Sequence, residues 1–436
     1  MHAGYSAQTI NPPPGTRMAG FGGRDKEKGV EGIHDPLEVR CLYTRHGREE
    51  ALILGYDLLF FSRENADRLK GALGRALDLR PRQILLNTSH THVGASVGLW
   101  GYEREWRPDW AYLADVERAS VTAALTAKRG ARPVTVTAGA TRSRLPVSRR
   151  RPDGKGGVEW RPYPAGEVCP HLPFALFSDR RGRPVCLLFS VSCHPSTVSG
   201  FQASADYPGV ACRTLDRQLG AACSLFLQGA GGDTKACTIA DGVDATGLPC
   251  WRSGPWERVQ EAGELVAREV SAGLAAMDRT PLRPDVRTAI TEMHWPLLPP
   301  PTRAALAAAA ADQYEIRRLW ARDLLAALDQ GRTLPTTADI LAQGIKLADG
   351  LRLVAIEGEL VGDLGRAILA EYASGVTVPL GYSNGTGLYL PSTRMCAEHG
   401  YEVDSFGEYG YPSQLAPGMD DRLAATVQEL QAAGVK

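Results

Sequence analysis

Short apolar runs rich in β-forming residues alternate along this chain with longer stretches whose apolar positions recur every three or four residues. Leu37 to Tyr43, Glu50 to Phe60, Gln83 to Leu86 and Val134 to Ala138 read as strands, with helices over Arg63 to Leu77 and Trp110 to Lys128. The alternation resumes after a Gly- and Arg-rich stretch from Arg142 to Gly157, giving strands at Val185 to Ser192 and Ser224 to Leu227 and helices at Tyr207 to Leu219 and Trp256 to Met277. Pro281 to Pro301 predicts a strand and a Pro-bounded connection. Thr302 is placed to cap one long helix reaching Gln330, and Gly331 to stop it. That helix could be a lid, a partner helix or core cover, and core cover is the expectation. A strand at Leu351 to Ile356, a helix at Leu360 to Tyr372, a strand at Val376 to Gly381 and a helix at Asp420 to Ala433 complete the pattern.

Strands alternating with helices predict an α/β fold of mixed sheets with flanking helices. The stretch from Asn11 to Gly32 is rich in Pro and Gly but holds Met18 and Phe21, so it reads as an ordered loop. No shift in composition marks a boundary. Residues 1–436 are expected to form a single catalytic domain, with the helical segment 302–345 inside it.

Composition narrows the function classes. Lys plus Arg equals Asp plus Glu at 49 each, so no global charge favours nucleic acid or an anionic membrane. The longest apolar run, Ala51 to Phe61, is interrupted by Asp57 and is too short for stable membrane insertion. The start of the chain lacks the basic and apolar regions of a secretory signal, and none of the 9 cysteines forms a C-x-x-C pair. A cytoplasmic protein with reduced thiols is the expectation.

Candidate chemistry gathers just beyond the strands. Leu85-Leu86-Asn87-Thr88 runs into Ser89-His90-Thr91-His92, and a His-x-His in extended backbone would turn both rings to one side, as metal ligands or as a hydrogen-bonded pair. Another apolar strand ends in Cys193-His194. His194 is a ligand candidate or a satisfied core histidine, and Cys193 a nucleophile candidate or a buried apolar residue. The stretch Gln228-Gly229-Ala230-Gly231-Gly232-Asp233 permits close backbone approach but lacks nucleotide-loop spacing. Asp233 could fix the tautomer of a ligating histidine or cap the next turn.

These pieces occur in the same order as in the neutral ceramidase family, which this chain resembles over nearly its whole length. The matching motifs are Ser89-His90-Thr91-His92, His194, Gln228 to Asp233, Glu357-Gly358-Glu359, and Gly381-Tyr382-Ser383-Asn384-Gly385-Thr386-Gly387-Leu388-Tyr389. The opening Thr9 to Gly15 with Met18-Ala19-Gly20, and the region from Tyr401 to Pro417, are also similar. The resemblance implies the family's catalytic-domain fold without its C-terminal immunoglobulin-like domain, and zinc-dependent cleavage of an amide bond in a small-molecule or lipid-like substrate. Carried over by position, it implies zinc ligands His90, His194, Glu359 (rather than Glu357) and Tyr389 (rather than Tyr382). It also implies His92 as acid/base or oxyanion donor, Asp233 as a supporting catalytic residue and Arg149 as a substrate clamp.

The sequence departs from the family at Lys235, where ceramidases carry a serine two residues after the aspartate. This departure, the early end of the chain and the missing signal turn the expectation from ceramide towards a soluble amide, such as an N-acylated amine or amino sugar. Ester or lactone hydrolysis at the same site, a non-catalytic metal-stabilised binding protein and a cysteine-dependent hydrolase are the alternatives.

Overall fold

Two β-sheets packed face to face, with helices on both outer sides, organise the computed structural model, which describes residues 1–25, 27–97 and 109–436. The larger sheet has eight strands in the order Ser224–Gln228, Pro184–Val191, His171–Asp179, Arg132–Arg142, His2–Thr9, Glu38–His46, Glu49–Tyr56 and Ile84–Thr88. The smaller has four, in the order Pro284–Pro296, Thr337–Ala348, Leu351–Ile356 and Val376–Leu380.

Alternation along each strand assigns its side chains to one of two cores. Leu42, Ile53, Leu85, Phe177, Leu188 and Leu225 of the large sheet meet Ile345, Leu353 and Leu380 of the small one. Their sequence neighbours face outwards: Cys41, Leu52 and Leu54 pack under helices Arg63–Leu77 and Trp110–Arg129, and Leu187 and Phe189 under Asp206–Leu219 and Trp256–Ala276. On the small sheet, Val354 and Ile356 lie under Gly362–Ala370 and Met419–Ala432. Both faces are covered, which is why these strands read as nearly continuous apolar runs. Each fully buried Leu contributes on the order of 1.5–3 kcal/mol.

Topology sets the position of the polar loops. Glu49–Tyr56 with Ile84–Thr88, Pro184–Val191 with Ser224–Gln228, and Leu351–Ile356 with Val376–Leu380 are parallel pairs. Each pair is joined by a crossover that contains a helix: Arg63–Leu77, Asp206–Leu219 or Gly362–Ala370. Parallel strands bring their carboxyl ends to one edge, where open α/β sheets place ligands. The first crossover helix begins where Ser62 caps it, accepting from the Asn65 N–H, and ends at Asp78 in the left-handed region.

The α/β expectation of mixed sheets with flanking helices is met, and two local expectations are corrected. The helix expected from Thr302 to Gln330 is two helices, Arg303–Ala309 and Glu315–Asp329. Thr302 caps the first as expected, but Asp312 accepts the Tyr314 N–H and turns the chain, letting the helices pack on each other through Leu306, Ala321 and Leu324. The segment 302–345 is therefore not helical throughout. Its later part belongs to strand Thr337–Ala348, paired along Pro284–Pro296. The Gly- and Arg-rich stretch holds a strand, Pro146–Pro152, whose arginines find buried acidic partners. Among the described residues, no helix is long and apolar enough to cross a membrane.

Candidate metal and substrate site

Asn87, fully buried, joins the strand ends of the two sheets. Its side chain donates to the carbonyls of Gly381 (2.9 Å) and Gln228 (3.3 Å) and accepts from the Gln228 N–H (2.7 Å). Three loops are thereby held together, one carrying His90 and His92, one the Gly-rich turn, and one Tyr382 and Tyr389.

His90 does not continue the strand. Its φ of 65° lies in the left-handed region, at a cost on the order of 1–3 kcal/mol for a residue other than glycine. The segment Ser89 to His92 is therefore not extended, because Ser89 and His90 donate their N–H groups to the carbonyls of Tyr56 and Leu58. The rings of His90 and His92 still meet edge to face with centroids 4.8 Å apart, and His90 and His194 are also 4.8 Å apart.

Two backbone carbonyls fix the tautomers of the first and third histidines. His90 Nδ1 lies 2.9 Å from the Leu59 oxygen and His194 Nδ1 lies 2.7 Å from the Gly231 oxygen. A carbonyl only accepts, so each Nδ1 is inferred to carry the proton and each Nε2 to present a lone pair. Both lone pairs converge on Glu359 Oε2, at 3.3 Å from His90 and 3.2 Å from His194, with Tyr389 Oη 3.3 Å from His194 Nε2. Burial pushes the His194 imidazole down to about 4, which disfavours a second proton there. Acceptors converging in this way form a donor set that could hold a cation. Two imidazoles, a carboxylate and a phenol are N/O donors that suit zinc.

His92 differs from the other two. Its ligand atom lies within 4.8 Å of theirs, yet both ring nitrogens lack a hydrogen-bond partner and burial holds the ring well below its ordinary pKa. Metal-ligating histidines almost always have an orienting partner on the second nitrogen. His92 instead faces the cavity, flanked by Phe21.

That cavity, of about 840 Å³, is lined by His90, His92, His194, Glu359, Tyr389, Arg149 and Lys235, with Leu59, Phe60, Ile316 and Leu319 on its apolar walls. The helix Glu315–Asp329 thus does more than cover core, since one side of it borders the site. Glu357 is engaged elsewhere, paired with Arg63. Arg149 is buried within strand Pro146–Pro152. Its Nε contacts Glu402 Oε1 at 2.6 Å, its guanidinium lies 4.0 Å from the Trp160 ring centroid, and its Nη2 has no hydrogen-bond partner.

Asp233 takes a capping role rather than an orienting one. It reaches neither imidazole: Oδ1 accepts the Gly362 N–H at 2.8 Å, at the start of a helix, and burial raises the carboxyl to about 6. The tautomer-fixing task falls to the carbonyls of Leu59 and Gly231. Cys193 likewise packs in the apolar core, where burial pushes its thiol well up, so it is not an activated nucleophile. Sequence reasoning missed Tyr409 and Glu402 and set Tyr382 aside as a ligand; the hydroxyls of Tyr409 and Tyr382 donate to Glu359 Oε1 (2.7 Å) and Oε2 (3.3 Å). Tyr409 and Glu402 lie in the Tyr401 to Pro417 region, but no spacing there distinguishes them from other polar residues.

The Gly-rich turn is small because backbone passes over it. A Cβ on Gly232 would lie 2.8 Å from the Glu359 carbonyl oxygen and 3.0 Å from that of Leu360. Gly232→Ala is expected to cost about 1–3 kcal/mol in stability and to weaken metal retention, because the backbone of Glu359 must shift. Urea unfolding and bound zinc per chain, measured on the same preparation, check both effects.

No family model and no curated protein matches this sequence. Solved structures do. Neutral ceramidase from Pseudomonas aeruginosa aligns with a TM-score of 0.71 at 15% identity, over 98% of this chain and 73% of that one. A ceramidase complexed with C2 aligns with a TM-score of 0.73 at 14% identity, again over 98% and 73%. The fold is that of neutral ceramidase, as the sequence resemblance implies.

Proposed function

We propose that this protein is a zinc-dependent hydrolase that cleaves the amide bond of an N-acylated small-molecule or lipid-like substrate, with His90, His194, Glu359 and Tyr389 holding the metal. The convergence of two imidazole lone pairs on one Glu359 oxygen, within 3.3 Å, is the principal support. The shared fold with neutral ceramidase agrees with it.

Zinc, when bound, brings the pKa of a water from ~15.7 towards about 7 and polarises an acyl carbonyl. The chain's own residues account for the rest. Tyr409 and Tyr382 hold the Glu359 carboxylate in place, and the Leu59 and Gly231 carbonyls hold the imidazoles. His92, unengaged and facing the cavity, donates to the acyl oxygen as negative charge develops there. Losing one such donor costs about 3 kcal/mol of transition-state stabilisation. His92 is also the group placed to take a proton from the attacking water on one ring nitrogen and pass it to the departing nitrogen. The apolar wall takes the acyl chain, and Arg149 Nη2 positions a polar part of the substrate.

Purified protein is expected to carry about one zinc per chain, to lose amide hydrolysis after dialysis against a chelator, and to regain it on zinc return. Alkylation with iodoacetamide should leave the rate unchanged, because Cys193 is buried. Activity indifferent to chelation but abolished by alkylation would overturn the reading. Matched esters and lactones in the same assay test the leaving-group preference.

A further inference from the structure

Lys235 is a buried cation without a counter-ion at the edge of the site. It is 7% exposed and lines the same cavity as His90, His92, His194 and Glu359. A backbone bridge pairs it with His194, so the two Cα atoms lie about 5 Å apart. Among the described residues it makes no ion pair. Its ammonium lies 5.6 Å from the Trp251 ring centroid, an aromatic contact that leaves its N–H donors available. Asp206 is the acid nearest in charge terms, but its oxygens accept from the Tyr207 and Thr197 N–H groups at 2.6 and 2.9 Å.

A second cation adds to the excess. Lys235 pairs with Val147 across the strands, which places Arg149 on the adjacent strand two residues further along, and Arg149 lines the same cavity. Glu402 serves both Arg149 and Arg150, and Glu398 also serves Arg150, while Arg149 Nη2 remains without a partner. Two positive groups line one cavity, one with no counter-ion and one with an unpartnered donor, and an anion on the ligand would complete both.

We propose that Lys235 and Arg149 Nη2 form an anion subsite beside the scissile bond, and that the substrates are N-acyl amino acids, amides whose amine half carries a carboxylate. This rests on the amidohydrolase reading above. The adjacency of Lys235 to His194 puts the charge close to the reacting carbon, whereas an acyl chain running along Leu59, Phe60, Ile316 and Leu319 has apolar surroundings. In the reaction the acyl C–N bond breaks, the hydroxyl of water goes to the acyl carbon and a proton to the nitrogen, giving an organic acid and a free amino acid.

The test compares N-dodecanoylglycine, N-dodecanoylethanolamine and the monoamide of a long dicarboxylic acid, with wild type, Lys235→Met and Lys235→Arg. Calorimetric binding of ketomethylene analogues, in which CH2 replaces the scissile NH, adds a readout that needs no turnover. Wild type should favour the glycine amide over the ethanolamide by about 10- to 100-fold in kcat/KM and in affinity. That ratio should collapse in Lys235→Met and largely persist in Lys235→Arg. No preference in wild type, a preference for the acyl-side carboxylate, or an equal loss for charged and neutral ligands in Lys235→Met would overturn the subsite. Zinc-dependent cleavage of all amides without charge preference would reject the subsite and leave the amidohydrolase reading standing. Charge-selective binding with no cleavage of any amide would do the reverse.

Discussion

Replacing His194 with alanine is expected to empty the metal site and to lower amide hydrolysis by on the order of a thousandfold or more. His194 supplies one of the two lone pairs directed at Glu359 Oε2, and its phenolic neighbour Tyr389 lies 3.3 Å from the same nitrogen. No other described side chain substitutes for it, since His92 lacks the carbonyl that would orient its ring. Glu357→Gln provides the contrast. Glu357 is the other carboxylate of the Glu-Gly-Glu motif, but it faces Arg63 and the Leu341 N–H, and its loss should leave zinc content unchanged. Zinc per chain and kcat/KM on folded preparations check the pair. Retention of zinc and near-normal turnover in His194→Ala would mean that the metal, if any, lies elsewhere.

Glu402→Gln is expected to destabilise the fold by about 3–5 kcal/mol, a loss typical of breaking a buried pair from one side. The Glu402 side chain is 1% exposed and faces Arg149 at 2.6 Å and Arg150 at 2.5 Å. Removing its charge strands two guanidinium groups in the interior. Burial alone would raise the Glu402 carboxyl, but Arg149 and Arg150 outweigh it and hold the carboxyl below its ordinary value. A depressed folded-state pKa contributes stability that is present above the unfolded value, about 4.3, and is lost as pH falls through the folded value. Wild type should therefore lose stability steeply below about pH 4, and Glu402→Gln should show a shallower loss over the same window. Urea unfolding across pH measures both. Parallel acid profiles for the two proteins would contradict the assignment of the buried charge.

The sequence made the layered α/β plan legible because strands covered on both faces are apolar almost throughout, and their lengths and flanks separate them from helices. Strands with mixed character escaped. Thr337–Ala348 contains Asp339, Gln343 and Lys346, each engaged by a specific partner, and these polar residues, two of them buried, mask its strand pattern. The arginines of Pro146–Pro152 hide a strand, because nothing local reveals that Glu402 and Glu398 lie opposite them. At the site, the residues just beyond strand ends were readable from position and type. The partners that hold them were not. Asn87, Tyr409 and the carbonyls of Leu59 and Gly231 act through distant contacts, and a backbone carbonyl carries no sequence signal at all. Of the two roles open to Asp233, the orienting one is performed by a carbonyl two residues earlier.

X-ray diffraction data collected at the zinc edge from crystals of the purified protein provide the most direct measurement. A single anomalous peak is expected within about 2.0–2.2 Å of His90 Nε2, His194 Nε2, a Glu359 oxygen and Tyr389 Oη, with His92 outside the coordination sphere. A peak held instead by His90, His92 and His194, with Glu359 and Tyr389 out of reach, or no peak in protein that hydrolyses amides, would contradict the account.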